Sequence, residues 1–184
     1  MKLFNDVVSF FQGQVFHTLG RKPMDSFLVE HFKGKPLVGC EIGVAHGLHS
    51  DSMLCHVPIK RLYLVDPFCH YDDFKYGKTG DDVYQGAHER IDPDDRVVWI
   101  REFSDKAAKK IKEKLDFVYI DGNHSYEWVK KDIAAYYPLV KSGGVIGGHD
   151  FCCVYPGVAK AVLEFCESKG LELKGDENDW WAVK

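Results

Sequence analysis

Five short apolar runs, residues 37–44, 61–66, 96–102, 115–121 and 144–150, alternate with amphipathic stretches, and each ends at or next to an acid: Glu41, Asp66, Glu102, Asp121 and Asp150. Runs this short and this apolar read as strands buried on both faces of a parallel sheet, with helices filling the gaps between them. In an open α/β sheet the ligand crevice lies beyond the carboxyl ends of the strands, so this register is expected to place five carboxylates around one rim. Acids also favour the positive end of a helix dipole, but that accounts for one or two of the five rather than all.

The helical periodicity is clearest after Ser125, the expected cap, where Val129, Ile133, Tyr136 and Val140 fall on one face. A second helix is expected to carry Val158, Val162, Phe165 and Cys166. After Gly170, the segments 171–174 and 180–183 flank a polar turn and predict a closing antiparallel hairpin, which brings a mostly parallel sheet to seven strands. Upstream, Phe4, Val7, Val8, Phe11 and Val15 recur at helical spacing, and Phe27, Leu28 and Phe32 follow Pro23. Residues 1–36 are therefore expected to be a helical lead-in and 37–184 the core of a single α/β domain, a size that 184 residues suit.

The formal charge of -4 offers no general attraction to a phosphate backbone, so no nucleic-acid partner is expected. No apolar stretch approaches the roughly 20 residues needed to span a bilayer. The first residues meet Asp6 before an apolar segment builds up, so they do not read as a secretory signal, and a cytoplasmic location with reduced thiols is expected for the six cysteines. Cys40 and Cys166 read as small core residues. Cys55-His56, Cys69-His70 and Cys152-Cys153 lack the C-x-x-C spacing of a structural zinc site. Association with a second copy of the chain is left open.

The first strand runs into Glu41-Ile-Gly43-Val-Ala45-His-Gly47, an E-x-G-x-x-x-G turn ahead of a helix. Glycine permits the tight turn and lets a ligand approach the backbone. The dinucleotide fingerprint G-x-G-x-x-G needs glycine where this chain has Ala45, which disfavours a nicotinamide cofactor. Asp66 closes the second strand, where a carboxylate can accept hydrogen bonds from both hydroxyls of a ribose.

With these two motifs in order, the chain from about residue 37 onward resembles the class I S-adenosylmethionine-dependent methyltransferases, whose fold is Rossmann-like. Residues 117–127, with Asp121, His124 and Tyr126, and residues 143–151, with His149 and Asp150, resemble a small-molecule O-methyltransferase group acting on sugars, macrolides and similar hydroxyl compounds. The resemblance implies S-adenosylmethionine as cofactor and a small-molecule acceptor as partner. It implies Gly43, Ala45 and Gly47 along the methionine part, Glu41 near its amino group, Asp66 at the ribose, Phe103 and Ser104 at adenine, and Asp121 bordering the cofactor. Gly122-Asn123-His124 stands where methyltransferases of adenine or glutamine nitrogens carry a Pro-Pro-aromatic turn, so that subclass is disfavoured.

Methyl transfer to an aliphatic hydroxyl needs a general base or a metal that lowers the hydroxyl pKa. His124, three residues beyond Asp121, is the first candidate base, since an unperturbed imidazole titrates at about 6.5. His149 is the second. Metal-dependent relatives resemble this chain in placing acids at the Asp121 and Asp150 positions. The implied set Asp121, His149 and Asp150 would take a divalent cation such as magnesium or manganese, the imidazole shifting preference away from magnesium. Tyr71, Phe74 and Tyr76 lie in a long segment, 67–90, that reads either as a lid over the acceptor or as a surface insertion. A non-catalytic adenosylmethionine- or nucleotide-binding module would keep Glu41, Gly43 and Asp66 but need neither His124 nor the Asp121/Asp150 pair.

Overall fold

The computed structural model describes residues 22–69 and 79–184. The expected helix over Phe4–Val15 and the aromatics Tyr71, Phe74 and Tyr76 lie outside the described residues. Seven strands, β1 (Leu37–Ile42), β2 (Ile59–Val65), β3 (Val97–Ile100), β4 (Leu115–Ile120), β5 (Val140–Gly148), β6 (Lys174–Asp176) and β7 (Asp179–Val183), form one sheet in the order β3-β2-β1-β4-β5-β7-β6. The first five run parallel, and β7 pairs antiparallel with both β5 and β6. This is the Rossmann-like, mostly parallel sheet with an antiparallel C-terminal hairpin that the sequence predicts.

The helices are α1 (Pro23–His31), α2 (Leu48–His56), α3 (Gly80–Ile91), α4 (Ser104–Ala107), α5 (Tyr126–Tyr136) and α6 (Pro156–Lys169). They lie over two apolar cores, one on each face, because successive strand residues point to opposite sides. In β4, Phe117 and Tyr119 join Met24, Leu28 and Met53 in the core beneath α1 to α3. Val118 and Ile120 join Val129, Ile133, Val158 and Val162 beneath α5 and α6.

Some details differ from the sequence reading, among them a helix end, the cap bond at Ser125 and a hairpin strand's start. Val140 begins β5 rather than ending the α5 stripe, because a 3-10 turn over Tyr137–Leu139 carrying Pro138 closes the helix. Ser125 occupies the N-cap position of α5 in extended conformation, but its side chain makes no capping bond, and its N–H donates instead to Asn123 Oδ1 at 2.9 Å. The first hairpin strand starts at Lys174, not at residue 171.

The parallel strands end almost in register: Ile42 pairs with Val65 and with Ile120, Val65 with Ile100, and Ile120 with Gly148. One level beyond this line stand Gly43, Asp66 and Asp121, with His149 and then Asp150 beside them. The order reverses at β1, which has β2 on one side and β4 on the other, and such a switch point opens a crevice. The rim holds three of the five expected carboxylates rather than all five. Glu41 lies inside β1 and is buried on the α2 face, while β3 stops two residues before Glu102, which pairs with Lys110 at 2.6 Å.

Candidate active site

The turn after β1 is shaped by a close approach. Gly43 has φ +88°, and a Cβ there would overlap the Asp121 carbonyl, so only glycine brings the two strand ends this near. Ala45 also takes the left-handed region, with φ +46°. Gly47, φ +72°, opens α2, and its missing Cβ leaves room for Ile91.

Asp66 holds this turn. Its Oδ2 accepts the N–H groups of Val44 at 2.9 Å and Ala45 at 3.0 Å, and its Oδ1 accepts that of Phe68 at 2.6 Å. The side chain is buried yet borders the crevice.

The crevice is lined by Ile42, Gly43, Val65, Asp66, Pro67, Phe103, Ser104, Gly122, Asn123, Trp128 and Asp132. Phe103 and Trp128 stack with centroids 6.0 Å apart and planes 21° apart, forming an apolar wall. At the inner end Ser104 Oγ donates to Asp132 Oδ1, and Tyr136 donates to the Ser104 carbonyl at 3.1 Å. Burial pushes the Asp132 carboxyl up to about 7, although the Ser104 bond acts in the opposite direction. Gly43, Asp66, Phe103 and Ser104 thus line one crevice.

Glu41 does not reach this crevice. His49 Nδ1 lies 2.8 Å from its Oε1, and Ser50 donates to its Oε2. His49 Nε2 reaches Asp25 of α1 at 3.3 Å. Burial disfavours the charged imidazole, but the carboxylates of Glu41 and Asp25 outweigh it and raise His49 to about 10.

A second cluster lies along the rim. His124 Nε2 is 2.7 Å from Asp150 Oδ2, and His149 Nδ1 is 3.1 Å from Asp150 Oδ1. Burial opposes ionisation of Asp150, but both imidazoles hold its carboxyl far below the ordinary range. Asp150 itself has φ +60°, an uncommon conformation for a residue with a Cβ. The His124 ring stacks on Tyr155, centroids 4.2 Å apart. Lys22 Nζ lies 3.5 Å from Asp121 Oδ2.

Ligand atoms of Asp121, His124 and Asp150 all fall within 4.8 Å of one another, an oxygen and nitrogen donor set that fits a divalent cation. Among the described residues this is the one such group, and no cysteine belongs to it. His149 sits behind Asp150, its Nε2 4.0 Å from Asp179 Oδ1, so the structure brings His124 rather than His149 into the trio.

Trp128, Asp132, His49 and Asp179 escaped the sequence reading. Asp132 had a legible signal: it falls within the buried stripe of α5, between Val129 and Tyr136, where an acid is out of place unless it has a task. Asp179, which accepts from Tyr119 at 2.8 Å and from the Met24 N–H at 3.1 Å, heads a strand in the closing hairpin and had none.

Residues 40–151 match the family described as Methyltransferase domain. Among solved structures, the chain is similar to CalS11, a TDP-rhamnose 3'-O-methyltransferase of calicheamicin biosynthesis, at 16% identity and TM-score 0.66, covering 99% of this chain and 85% of that one. It is similar to the O-methyltransferase NovP at 19% and 0.64, covering 88% and 78%. A precorrin-6y C5,15-methyltransferase from Geobacter metallireducens matches at 16% and 0.61, covering 100% and 89%. No curated protein matches the sequence. No helix among the described residues is long and apolar enough to cross a membrane. With the family match spanning well over half of the chain, and with the glycine turn, Asp66 and the crevice at the β1/β4 switch point, the chain belongs to the methyltransferase domain family and is a class I methyltransferase, an enzyme that uses S-adenosylmethionine.

Proposed function

We propose that this enzyme methylates a hydroxyl oxygen of a small acceptor such as a sugar, a natural product or a phenol, with His124 as the general base. The observation that carries the reading is the 2.7 Å contact between His124 and Asp150 at the rim, one strand away from the cofactor turn. The cofactor supplies an already activated methyl group on a sulfonium, so the protein's share is alignment and proton removal. Asp66 fixes the Gly43 turn, Phe103 and Trp128 provide a flat apolar wall, and Ser104 and Asp132 supply the polar end for adenine. Asp150 accepts from His124 and stabilises its charged form once it has taken the acceptor's proton. Small-molecule O-methyltransferases among the structural neighbours support the acceptor class.

A second reading rests on the trio of Asp121, His124 and Asp150, which would hold a divalent cation. A bound magnesium or manganese ion would lower the pKa of the acceptor hydroxyl. His124 would then be a ligand and the base would be elsewhere, so the two readings are alternatives.

A panel of hydroxylated sugars and phenols incubated with methyl-labelled S-adenosylmethionine tests the proposal. Label in a methyl ether is the expected result. Transfer confined to nitrogen or carbon acceptors would refute O-methylation while leaving the enzyme class intact.

A further inference from the structure

We infer that Lys22 is the resident counter-cation of Asp121, which a divalent ion must displace, so that this one side chain sets how tightly the rim holds metal. This rests on the reading of Asp121, His124 and Asp150 as a cation site.

Lys22 is placed by the way α1 begins. It is the N-cap residue of that helix, and Pro23 after it favours the extended backbone it adopts, φ -69° and ψ 154°. Its carbonyl accepts the N–H of Asp25 at 3.0 Å and that of Ser26 at 3.3 Å. The first turn of α1 is tied in two further places: the Met24 N–H donates to Asp179 Oδ2 at 3.1 Å, and Asp25 Oδ1 lies 3.3 Å from His49 Nε2. Asp179 heads β7, whose next residue, Trp180, pairs with Gly148 at the end of β5, so the start of α1 is pinned beside the rim. From there Lys22 Nζ reaches to 3.5 Å from Asp121 Oδ2 and 5.3 Å from the centroid of the Tyr119 ring. The two side chains are only 24% and 23% exposed, which screens the pair from water and salt better than a surface ion pair.

The same carboxylate belongs to the trio whose ligand atoms lie within 4.8 Å of one another. An ammonium at Asp121 and a divalent ion bound to that carboxylate would be like charges held at one acid, and their repulsion makes the two occupants exclusive. The ion therefore has to break an existing ion pair before it binds. The released ammonium keeps the face of the Tyr119 ring and the side chain of Asp179, on which its charge acts, as neighbours. Lys22 lies upstream of the family match at residues 40–151, so this control comes from outside the matched domain.

Calorimetry with manganese chloride on the full chain, without acceptor, tests the inference. Lys22→Met should bind the ion at least about 10-fold more tightly than the parent, whereas Lys22→Arg, which keeps the charge, should stay within about threefold of it. Adding Asp121→Asn to Lys22→Met should remove the gain, because the effect passes through that carboxylate. A second readout needs no variant: saturating manganese should speed acetylation of Lys22 in the parent, followed by mass spectrometry, as the ammonium leaves Asp121. Equal affinities of the parent and Lys22→Met, or an acetylation rate indifferent to bound manganese, would overturn the inference and leave the cation site standing. A gain that survives Asp121→Asn would overturn it by placing the ion elsewhere. Binding by neither protein would overturn both the inference and the cation site.

Discussion

His124 Nε2 and Asp150 Oδ2 are 2.7 Å apart although 26 positions separate them in the chain, and the strand register explains why. Ile120 pairs with Gly148, so the segments leaving β4 and β5 start side by side and deliver both residues to one point of the rim. The ring is braced on its other face by Tyr155, which precedes α6. If this pair removes the acceptor's proton, its loss should be felt at the chemical step. His124→Ala should lower turnover by about 10²- to 10⁴-fold while S-adenosylhomocysteine affinity stays within a few-fold of the parent. Near-parent turnover would remove His124 from the mechanism and direct attention to His149.

Metal removal separates the two readings of the same cluster. Under the base mechanism, turnover should persist in excess chelator, and elemental analysis of the active enzyme should find no stoichiometric divalent ion. Under the cation reading, chelation abolishes turnover and manganese or magnesium restores it. In that case Asp121→Asn should weaken metal affinity, read as a higher concentration of ion needed for half-maximal rate.

Asp66 is expected to act through the turn as well as at the ribose. Replacing it with alanine strands the N–H groups of Val44, Ala45 and Phe68, which now share its two oxygens. Cofactor affinity should fall by roughly 10-fold or more, and the melting temperature should fall with it. Unchanged affinity by calorimetry would show that the Gly43 turn keeps its shape without the carboxylate.

Much of this architecture is legible in the chain because parallel strands are written as nearly continuous apolar runs, and the acids that follow them mark the rim. Asp66, Asp121 and Asp150 were visible for that reason. Glu41 looked the same in sequence but lies one residue inside β1, where strand alternation turns it to the α2 face and into contact with His49. A one-residue difference in register decides between rim and core, and apolar runs alone do not mark a strand's last residue so finely. The pairing of His124 with Asp150 depends on which strands neighbour each other, information that no local pattern carries.

The His49 network makes a pH prediction of definite sign. An imidazole raised to about 10 in the folded chain, against about 6.5 unfolded, contributes stability that is complete below pH 6.5. That contribution is lost as pH rises through 10. Chemical denaturation of the parent should therefore show stability declining from pH 7 to pH 10, by up to a few kcal/mol. His49→Gln, neutral throughout, should be less stable than the parent at pH 7, and the gap should narrow by pH 10. A gap independent of pH would mean that Glu41 and Asp25 do not hold a charged ring.

Asp132 acts in the same direction but over a lower pH window. Its carboxyl titrates at about 7 in the folded chain, against about 3.9 when unfolded, so between these values the native state binds the extra proton. Stability associated with this group is full below about pH 4 and is lost as pH rises through 7. At pH 8 the fold therefore bears the cost of a buried carboxylate that Ser104 only partly offsets. Asp132→Asn removes the charge and keeps an acceptor for Ser104, so it should raise stability at pH 8 by about 1 to 4 kcal/mol, with little change near pH 4. Thermal melts of both proteins across that range check it. A variant that is less stable than the parent by the same margin at every pH would show that the carboxylate is fully satisfied within the fold. A gain that grows through pH 7, together with weaker binding of S-adenosylhomocysteine, would mark Asp132 as an acid kept for its ligand at the expense of stability.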